Sequence, residues 1–383
     1  MQGGIMLQRT LYKEEHALFR DGIRKFYAKE LVPKIEQWET DGIVDREFWR
    51  ACGINSLLLP DIPEQYGGSG QDFRFNAIIL EETALAGTTG PAFGVHNDIV
   101  AHYINNHACE SVKKTWLPQM ASGEAIGAIC MSEPEAGSDV KALRTSATPT
   151  DGGYLLNGSK TFITNGLNAD IAVVAARIGN ATGASAISLF VVDASSPGFI
   201  KGRKLDKVGN RSSDTAALFF ENLFIPAENL IGGQGNGFKL MMQELPQERL
   251  SIAISCQAAA QHAYDITLDY VEQRQAFGKS IKDFQNTRFQ LAEMKTQLQV
   301  GWAHLDACIL ALLDKNLATH QAAGAKLWHS ELRCTVVDNC VQLFGGYGYI
   351  EEYEIARLWR DARVMRIYGG TSEIMKDLIS RSI

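Results

Sequence analysis

The sequence predicts an α+β fold, mainly α, in which a small antiparallel β domain separates an N-terminal helical domain from a C-terminal four-helix bundle. Apolar residues at helical spacing occupy residues 10 to about 125, short β-type segments follow, and long helical stripes return after residue 237. The 383-residue chain also exceeds the ~250–300 residues at which a single hydrophobic core usually stops growing. We therefore expect three domains, at residues 1–125, 126–236 and 237–383.

The N-terminal domain is predicted from two helical segments, at residues 13–39 and around residues 76–87. A loop rich in Gly and Pro, at residues 57–72, separates them. In the first segment, the apolar residues that recur at roughly helical spacing between charged residues are Leu18, Ile23, Phe26 and Leu31. This pattern predicts helices with one face turned to a core.

The central domain is predicted from segments rich in β-branched and aromatic residues. These segments cover residues 154–164, 169–178, 186–193 and 215–226. Asp151-Gly152-Gly153 and Asn157-Gly158 are turn signals that we expect to separate strands. Because no helical segment alternates with the strands, the sheet is expected to be antiparallel.

The C-terminal domain is predicted from one long stripe of apolar residues at three- and four-residue steps. Such a stripe is typical of a bundle core or a subunit interface. Its members are Leu291, Met294, Leu298, Trp302, Leu305, Ile309 and Leu312.

Composition argues against several classes of protein. The net charge of −7 and the lack of a long basic run argue against nucleic acid as a partner. No apolar run approaches the ~18 residues of a membrane span. The seven cysteines form no CxxC pair, and no His, Cys and carboxylate set has the spacing of a metal site. The N-terminal segment resembles neither a signal peptide nor a transit peptide. We expect a cytoplasmic protein, or a mitochondrial matrix protein if a presequence has been removed.

Three motif fragments lack the context that would give them a function. The glycine pattern at residues 233–237 has no βαβ unit around it, and residues 277–280 end like a P-loop that lacks its first glycine. Gly370-Thr371-Ser372 lacks the second glycine of a nucleophile elbow. These gaps argue against a nicotinamide enzyme, an NTPase and a serine hydrolase.

Six other segments, spread over most of the chain, resemble the acyl-CoA dehydrogenase family in their residues, order and spacing. They are ICMSEPEAGSDV (129–140), NGSKTFITNG (157–166), ELPQERLSIA (244–253), RQAFGKSIKDFQ (274–285), QLFGGYGYIEEY (342–353) and RDARVMRIYGGTSEIMKDLI (360–379). The resemblance implies the same helical, β and helical order. It also implies FAD as cofactor, an acyl-CoA substrate, a homo-oligomer that is usually a tetramer, and an electron-transfer flavoprotein as electron acceptor.

The resemblance also implies which residues bind FAD. Those expected around the flavin ring are Ile129, Met131, Ser132, Phe162, Ile163 and Thr164. Those expected at the pyrophosphate and adenosine are Arg274, Phe284 and Gln285, with Gln342, Gly345 and Gly346 from another subunit. Thr371 and Glu373 are expected to contact FAD as well. The substrate is expected to contact Ser138, Arg249, Gly369 and Gly370.

The catalytic base departs from the commonest family pattern. Many members carry a glutamate directly after the tyrosine of the last motif, but here Gly369 follows Tyr368. The isovaleryl-CoA and long-chain branches instead place the base on the first helix of the bundle, where this chain has Glu248. The resemblance therefore implies that Glu248 removes the α-proton while flavin N5 takes the β-hydride. The enolate oxygen would be stabilised by the FAD ribityl hydroxyl and by a backbone N–H of Gly369 or Gly370.

The substrate is predicted less directly than the reaction. Residues 89–100 and 201–209 look most like the long-chain branch, and Gly90, Pro91 and Gly94 would interrupt or widen the helix that closes the acyl pocket. We expect a long or branched acyl chain. Three alternatives stay open: an acyl group on a carrier protein, a flavin monooxygenase of the same fold, and a catalytically inactive relative with an assembly role.

Overall fold

The computed structural model describes residues 9–179 and 183–383. The N-terminal segment used for the localisation prediction therefore lies partly outside the described residues. The order of helical, β and helical regions is the predicted one. Within the described ranges, no helix is both long and apolar enough to cross a membrane.

The first region is helical, as predicted. Its α-helices are α1 (Glu14–Glu30), α2 (Ile35–Asp41), α3 (Arg46–Ile54), α4 (Phe73–Leu85), α5 (Ala101–His107) and α6 (Glu110–Ala121). Ile23 and Leu31 are buried, but Leu18 is 67% exposed, so its predicted burial was wrong. The buried face of α1 passes through His16, Ile23 and Tyr27 instead.

A π-helical segment, Gly94–Val100, leads directly into α5. Its winding is marked by a hydrogen bond from the Ala101 N–H to the His96 carbonyl oxygen, five residues earlier. Gly90 and Pro91 lie in the turn before this segment, so they separate two helices and do not interrupt one. π-helical turns are frequent at functional sites.

The central region is a sheet whose strands are β1 (Gly127–Cys130), β2 (Ser146–Thr150), β3 (Gly153–Thr164), β4 (Ile171–Ile178), β5 (Ile187–Asp193), β6 (Phe199–Lys204), β7 (Thr215–Pro226) and β8 (Leu230–Ile231). Their order is β6-β7-β3-β2-β4-β5-β8, and β1 pairs with β4. The pairings are antiparallel except that β1 and β2 each run parallel to β4. The four predicted strands are β3, β4, β5 and β7.

One predicted turn in this region was wrong. Asp151-Gly152 does turn the chain between β2 and β3, but Asn157-Gly158 lies inside β3, where the register against β7 shifts. Gly158 has φ +147°, and an added Cβ would lie only 2.7 Å from Thr145 Cα. The glycine is needed for a bulge and a close approach of two chain segments.

The last region is dominated by long helices. Its elements are α7 (Gly237–Gln273), the short strands β9 (Gln275–Ala276) and β10 (Lys279–Ser280), α8 (Gln285–Leu313), α9 (Thr319–Phe344), α10 (Glu354–Ala362) and α11 (Ser372–Ser380). The stripe predicted on α8 is buried from Leu291 to Ile309, whereas Leu312 is only partly buried. α7 and α9 supply the facing core residues.

Candidate active site

Glu248 lies on α7, and its side chain is buried between that helix and α5. The residue is 7% exposed. The Tyr103 hydroxyl on α5 donates a hydrogen bond to Glu248 Oε1 at 3.1 Å. Pro246, two residues earlier, lies inside α7, where it removes one helical hydrogen bond. Glu248 is therefore a buried carboxyl group with one fixed donor.

Burial raises the pKa of Glu248 to about 7. The Tyr103 hydrogen bond opposes this rise, the Glu244 carboxylate adds to it, and the Arg249 charge lowers it. A carboxyl group that titrates near neutral pH is a stronger base than one in water and is still partly ionised at working pH. Such a combination of burial and charged neighbours is typical of functional sites.

The Gly369-Gly370 turn packs against the same helix one turn after Glu248. A Cβ on Gly369 would lie 2.4 Å from Ile252 Cδ1, and one on Gly370 would lie 3.9 Å from Arg249 Nη2. Both glycines have positive φ, +65° and +98°. Only glycine adopts these angles without strain at so close an approach. The structure thus brings Glu248, Arg249 and the two glycines, all predicted site residues, to one place.

Lys326 on α9 forms a hydrogen bond with the Gly369-Gly370 turn, and the sequence did not indicate this contact. Its Nζ donates to the Gly370 carbonyl oxygen at 2.7 Å, and the side chain is fully buried. Burial lowers the pKa of Lys326 to about 8. An ammonium group bound to this carbonyl fixes the Gly370–Thr371 peptide and so restrains the turn that contains Gly369 and Gly370.

The residues predicted around a flavin ring form one group at the end of β1 and β3. The Ser132 carbonyl oxygen accepts from the Thr161 N–H at 3.0 Å, which places Met131 and Ser132 beside the end of β3. Phe162 is 71% exposed with φ +59°. Ile163 is 2% exposed in the sheet core, so only its backbone can face a ligand. Ile129 and Thr164 are partly buried on β1 and β3.

A buried ion pair supports this group from inside the β domain. Lys160 Nζ donates to the Met131 carbonyl oxygen at 3.0 Å and to Glu133 Oε1 at 2.8 Å. Glu133 also accepts from the Thr145 N–H at 3.0 Å. Sequence reasoning missed these two residues because Lys and Glu side chains are normally exposed to solvent.

The residues predicted at the adenosine end form a second group at the end of the bundle. The Arg274 guanidinium lies 5.6 Å from the centre of the Tyr347 ring. Phe284 and Gln285 begin α8, and Gln342 is in the last turn of α9. Gly345 has φ +61°, and added Cβ atoms at Gly345 and Gly346 would meet nothing within 4 Å. The glycines therefore leave room for a ligand to approach the backbone.

The remaining predicted residues lie at the edges of these groups. Thr371 is the N-cap of α11, where its hydroxyl accepts from the Ile374 N–H at 3.3 Å. Glu373 is exposed in the first turn of that helix, and Ser138 is exposed in the loop after β1. Among the described residues, no hydrogen bond, ion pair or ring contact joins the ring group to the adenosine group.

Three family models match nearly the whole chain. They describe the N-terminal, middle and C-terminal domains of acyl-CoA dehydrogenase, and they match residues 13–124, 128–223 and 235–383. The chain belongs to the acyl-CoA dehydrogenase family. It is therefore an oxidoreductase that dehydrogenates acyl-CoA thioesters.

Named relatives and solved structures align with nearly the whole length of this chain. The long-chain specific acyl-CoA dehydrogenase of Sus scrofa is 46% identical over 98% of this chain and 88% of its own length. The isovaleryl-CoA dehydrogenase of Oryza sativa is 35% identical over 100% and 96%. An acyl-CoA dehydrogenase structure from Geobacillus kaustophilus matches with a TM-score of 0.96 and 44% identity over 98% and 99%. A glutaryl-CoA dehydrogenase from Mycobacterium smegmatis, in complex with FADH2, has a TM-score of 0.91 and 26% identity over 97% and 95%.

A buried polar cluster near Glu248 was not predicted for this acyl-CoA dehydrogenase. Asn76 on α4 donates to Asp98 Oδ1 at 2.8 Å and to Asp61 Oδ1 at 3.1 Å. His102 pairs with Asp61 Oδ2 at 2.9 Å, and although burial opposes it, that carboxylate raises the pKa of His102 to about 9. Asp98 in the π-helical segment and His102 in α5 are four residues apart along one continuous helical stretch, a spacing that could have indicated a shared face. Among the described residues, no group of three or more potential ligands is placed to hold a metal ion.

Proposed function

We propose that this chain is an FAD-dependent dehydrogenase of long or branched fatty acyl-CoA, with Glu248 as the base that removes the α-proton. The observation that carries the proposal is the environment of the Glu248 carboxyl group. Its carboxyl group is buried, its pKa is raised to about 7, and it lies beside the turn that replaces the commoner family base.

The α-hydrogen of a thioester is a much weaker acid than a carboxylic acid, so the base needs help. Donors aimed at the thioester oxygen would stabilise the negative charge that develops when Glu248 Oε takes the proton. The Gly369 and Gly370 N–H groups are suited to this task, because neither residue has a side chain to cover its backbone and Lys326 holds the Gly370 carbonyl oxygen of the same turn. Arg249, which is 4% exposed with an unpartnered Nε, adds a positive charge next to the base.

The residues present fit FAD. Exposed Phe162 offers a flat apolar surface to a flavin ring, and the Met131 segment beside it is fixed by Lys160. Arg274 offers a cation for a pyrophosphate, and Gly345 and Gly346 leave open space at the backbone. When bound, FAD would take the β-hydrogen as hydride, so that the acyl chain leaves as the trans-2-enoyl thioester. The FADH2 complex of a 26% identical relative supports this cofactor.

We further propose that FAD is shared between subunits of a homotetramer. The resemblance to the acyl-CoA dehydrogenase family, whose members usually form tetramers, supports a site completed by a second chain. The three domains of each subunit would be residues 1–125, 126–236 and 237–383.

Reduced flavin must be reoxidised, and we propose an electron-transfer flavoprotein as the acceptor. The mitochondrial relatives favour a matrix setting, and a cytoplasmic one is the alternative.

The long-chain preference rests on sequence identity and on one gap in the packing. Identity is 46% to the long-chain enzyme of Sus scrofa and 35% to the isovaleryl-CoA enzyme of Oryza sativa. Gly94 leaves room for a methyl-sized group between Leu80 on α4 and Ser251 on α7. Because Ser251 is one turn after Glu248, an acyl chain whose α-carbon is at the base can continue into that space.

An anaerobic spectral titration with acyl-CoAs of increasing chain length tests the proposal. We expect a yellow protein whose flavin bleaches most readily with a long or branched chain. A maximum at butyryl-CoA would refute the chain-length assignment. Flavin that bleaches only with acyl groups on a carrier protein would favour the carrier-protein alternative. Flavin that bleaches with no acyl group would favour the monooxygenase alternative. A colourless protein would favour the inactive relative.

A further inference from the structure

A second cavity, of about 1250 Å³, lies where α2, α10 and the chain after β6 meet. Glu248 is not among the residues that line it. Lys207 and Ser213 line it from the β domain. Glu36 and Glu351 line it as well, and both are exposed, so solvent reaches the cavity. A reagent in solution can therefore reach this part of the β domain.

The Lys207 amine has two hydrogen-bond acceptors and no ion-pair partner among the described residues. Its Nζ donates to the Ser213 carbonyl oxygen and to Thr215 Oγ1, the latter at 2.8 Å. Because Ser213 itself lines the cavity, the amine lies at the cavity wall. A neutral amine keeps both hydrogen bonds with its two protons, which leaves its lone pair free to attack an electrophile.

Burial makes the neutral amine accessible. It lowers the pKa of Lys207 to about 8, although the carboxylates of Asp214, Asp361 and Glu39 oppose the fall and the Lys204 charge adds to it. These groups face Lys207 from the start of β7 and from α10, α2 and β6. A lysine in water, with a pKa of about 10.4, is almost wholly protonated at neutral pH and is a poor nucleophile. Lys207 therefore combines access from solution with a reactive nitrogen.

We propose that Lys207 is a self-acylation site, which takes its acyl group from an acyl-CoA thioester. The Lys207 nitrogen attacks the thioester carbonyl carbon, the C–S bond breaks, and coenzyme A leaves as the thiolate. The amine gives up one proton to solvent, and the product is a neutral amide. The donor belongs to the acyl-CoA class on which this family acts. The step consumes no oxidant and does not use Glu248, so it is independent of dehydrogenation.

Acylation would remove a charge that attracts a buried aspartate. Asp214 is 2% exposed, and its Oδ2 accepts from the Leu167 N–H at 2.7 Å and from the Asn168 N–H at 3.3 Å. These two residues belong to the turn that follows Thr164, which is predicted to lie at the flavin ring. The Lys207 charge favours the ionised form of Asp214, which makes those hydrogen bonds. We therefore expect the acylated protein to melt at a lower temperature than the unmodified one.

The test uses acetyl-CoA, because its acyl group has no β-carbon and cannot be dehydrogenated. The holoenzyme is incubated with acetyl-CoA near neutral pH, and acetylated lysines are quantified over time by peptide mass spectrometry. We expect Lys207 to react about tenfold faster than Lys204, which lines the same cavity but makes a solvent-exposed hydrogen bond to the Asp41 carbonyl oxygen. The Lys207 rate should level off above about pH 8, whereas the rate of a lysine in water keeps rising towards about pH 10.

Two variants assign the effect to this residue. Lys207→Arg keeps the positive charge but has no amine, so the fast acetylation should disappear and treatment should not lower the melting temperature. Lys204→Arg is the matched control from the same cavity, and Lys207 should still react fast in it. The comparison of Lys207 with Lys204 is made in the wild type, so misfolding of a variant does not obscure it.

The outcomes separate this proposal from the proposed function. Equal rates at Lys207 and Lys204, or a Lys207 rate that keeps rising well above pH 8, would show that the cavity does not activate this amine, and the proposal would be wrong. If Lys207 reacts fast but no acyl-CoA bleaches the flavin, the self-acylation site stands and the proposed function does not. If the flavin bleaches and Lys207 reacts slowly, the reverse holds.

Discussion

Tyr103 donates a hydrogen bond to Glu248 across 145 residues of sequence, at 3.1 Å from Oη to Oε1. The two side chains are buried together between α5 and α7. The bond favours the ionised carboxylate, so it opposes the effect of burial on the Glu248 pKa. Tyr103 therefore fixes the orientation of the Glu248 carboxyl group and limits how far its pKa rises, which makes it a positioning residue for the proposed base.

Replacing Tyr103 by Phe should shift the pH profile of the reaction. Without the donor, the pKa of Glu248 rises further, and the acid limb of kcat/KM moves to higher pH. At pH 7 we expect kcat/KM to fall about tenfold, because a hydrogen bond to a charged group is lost. Tyr66→Phe is the control, since Tyr66 gives a 2.8 Å hydrogen bond to Glu110, away from the site. An unmoved acid limb in Tyr103→Phe would show that Tyr103 does not act through Glu248.

Replacing Glu248 by Gln should abolish dehydrogenation while leaving bound FAD in place. Gln has nearly the same shape but cannot accept the α-proton, so we expect a loss of several orders of magnitude with an artificial electron acceptor. Glu244→Gln is the matched control one turn earlier on α7. It should keep activity, and its acid limb should move to lower pH, because the Glu244 charge helps to raise the pKa of Glu248. Near-normal turnover of Glu248→Gln would remove this residue from the mechanism.

Part of the fold and of the candidate active site could be predicted from sequence, because the signals for those parts are local. The apolar stripe on α8 depends on a helical period within one element, and the replacement of a glutamate by Gly369 is visible in one motif. The pairing of Tyr103 with Glu248 is different, because it depends on how α5 meets α7. No pattern within either segment reports that contact.

Two errors show how a local signal can be genuine and still be misassigned. Asn157-Gly158 does contain a residue that only glycine can satisfy, but the positive φ of Gly158 serves a bulge and not a turn. Leu18 follows a roughly helical spacing, but it lies five residues before Ile23 and so points roughly 140° away from it. In both cases, the sequence indicates a local backbone or spacing requirement, but it does not show which part of the structure packs against that residue.

The ionisation of Glu248 should lower the stability of the protein as pH rises. The folded state retains this proton up to about pH 7, whereas the unfolded chain releases it near 4.5. Stability from this group is therefore complete below pH 4.5 and is lost by pH 7. We expect Glu248→Gln to be more stable than the wild type at pH 8, by at most ~3 kcal/mol.

Scanning calorimetry across pH would check this expectation. The gap between Glu248→Gln and the wild type should close as pH falls towards 4.5. Glu244→Gln should behave in the opposite way. Although burial opposes it, the hydrogen bond with His107 lowers the pKa of Glu244, so that carboxylate stabilises the fold above its unfolded pKa. A stability gap for Glu248→Gln that is constant with pH would argue against a raised pKa.

Gly94 should limit the length of the acyl chain through the space it leaves. An added methyl group would make only ordinary contacts, at 3.7 Å or more, so Gly94→Ala should fold with little change in stability. The same methyl group occupies the path proposed for the acyl chain, and we expect kcat/KM for long chains to fall about tenfold while shorter chains are unaffected. Gly22→Ala on α1 is the control, because a Cβ there meets nothing within 4 Å and lies on an exposed face. It should leave the chain-length profile unchanged, since it can act only on helix stability. If Gly94→Ala and Gly22→Ala have the same profile, the acyl chain takes another route from Glu248.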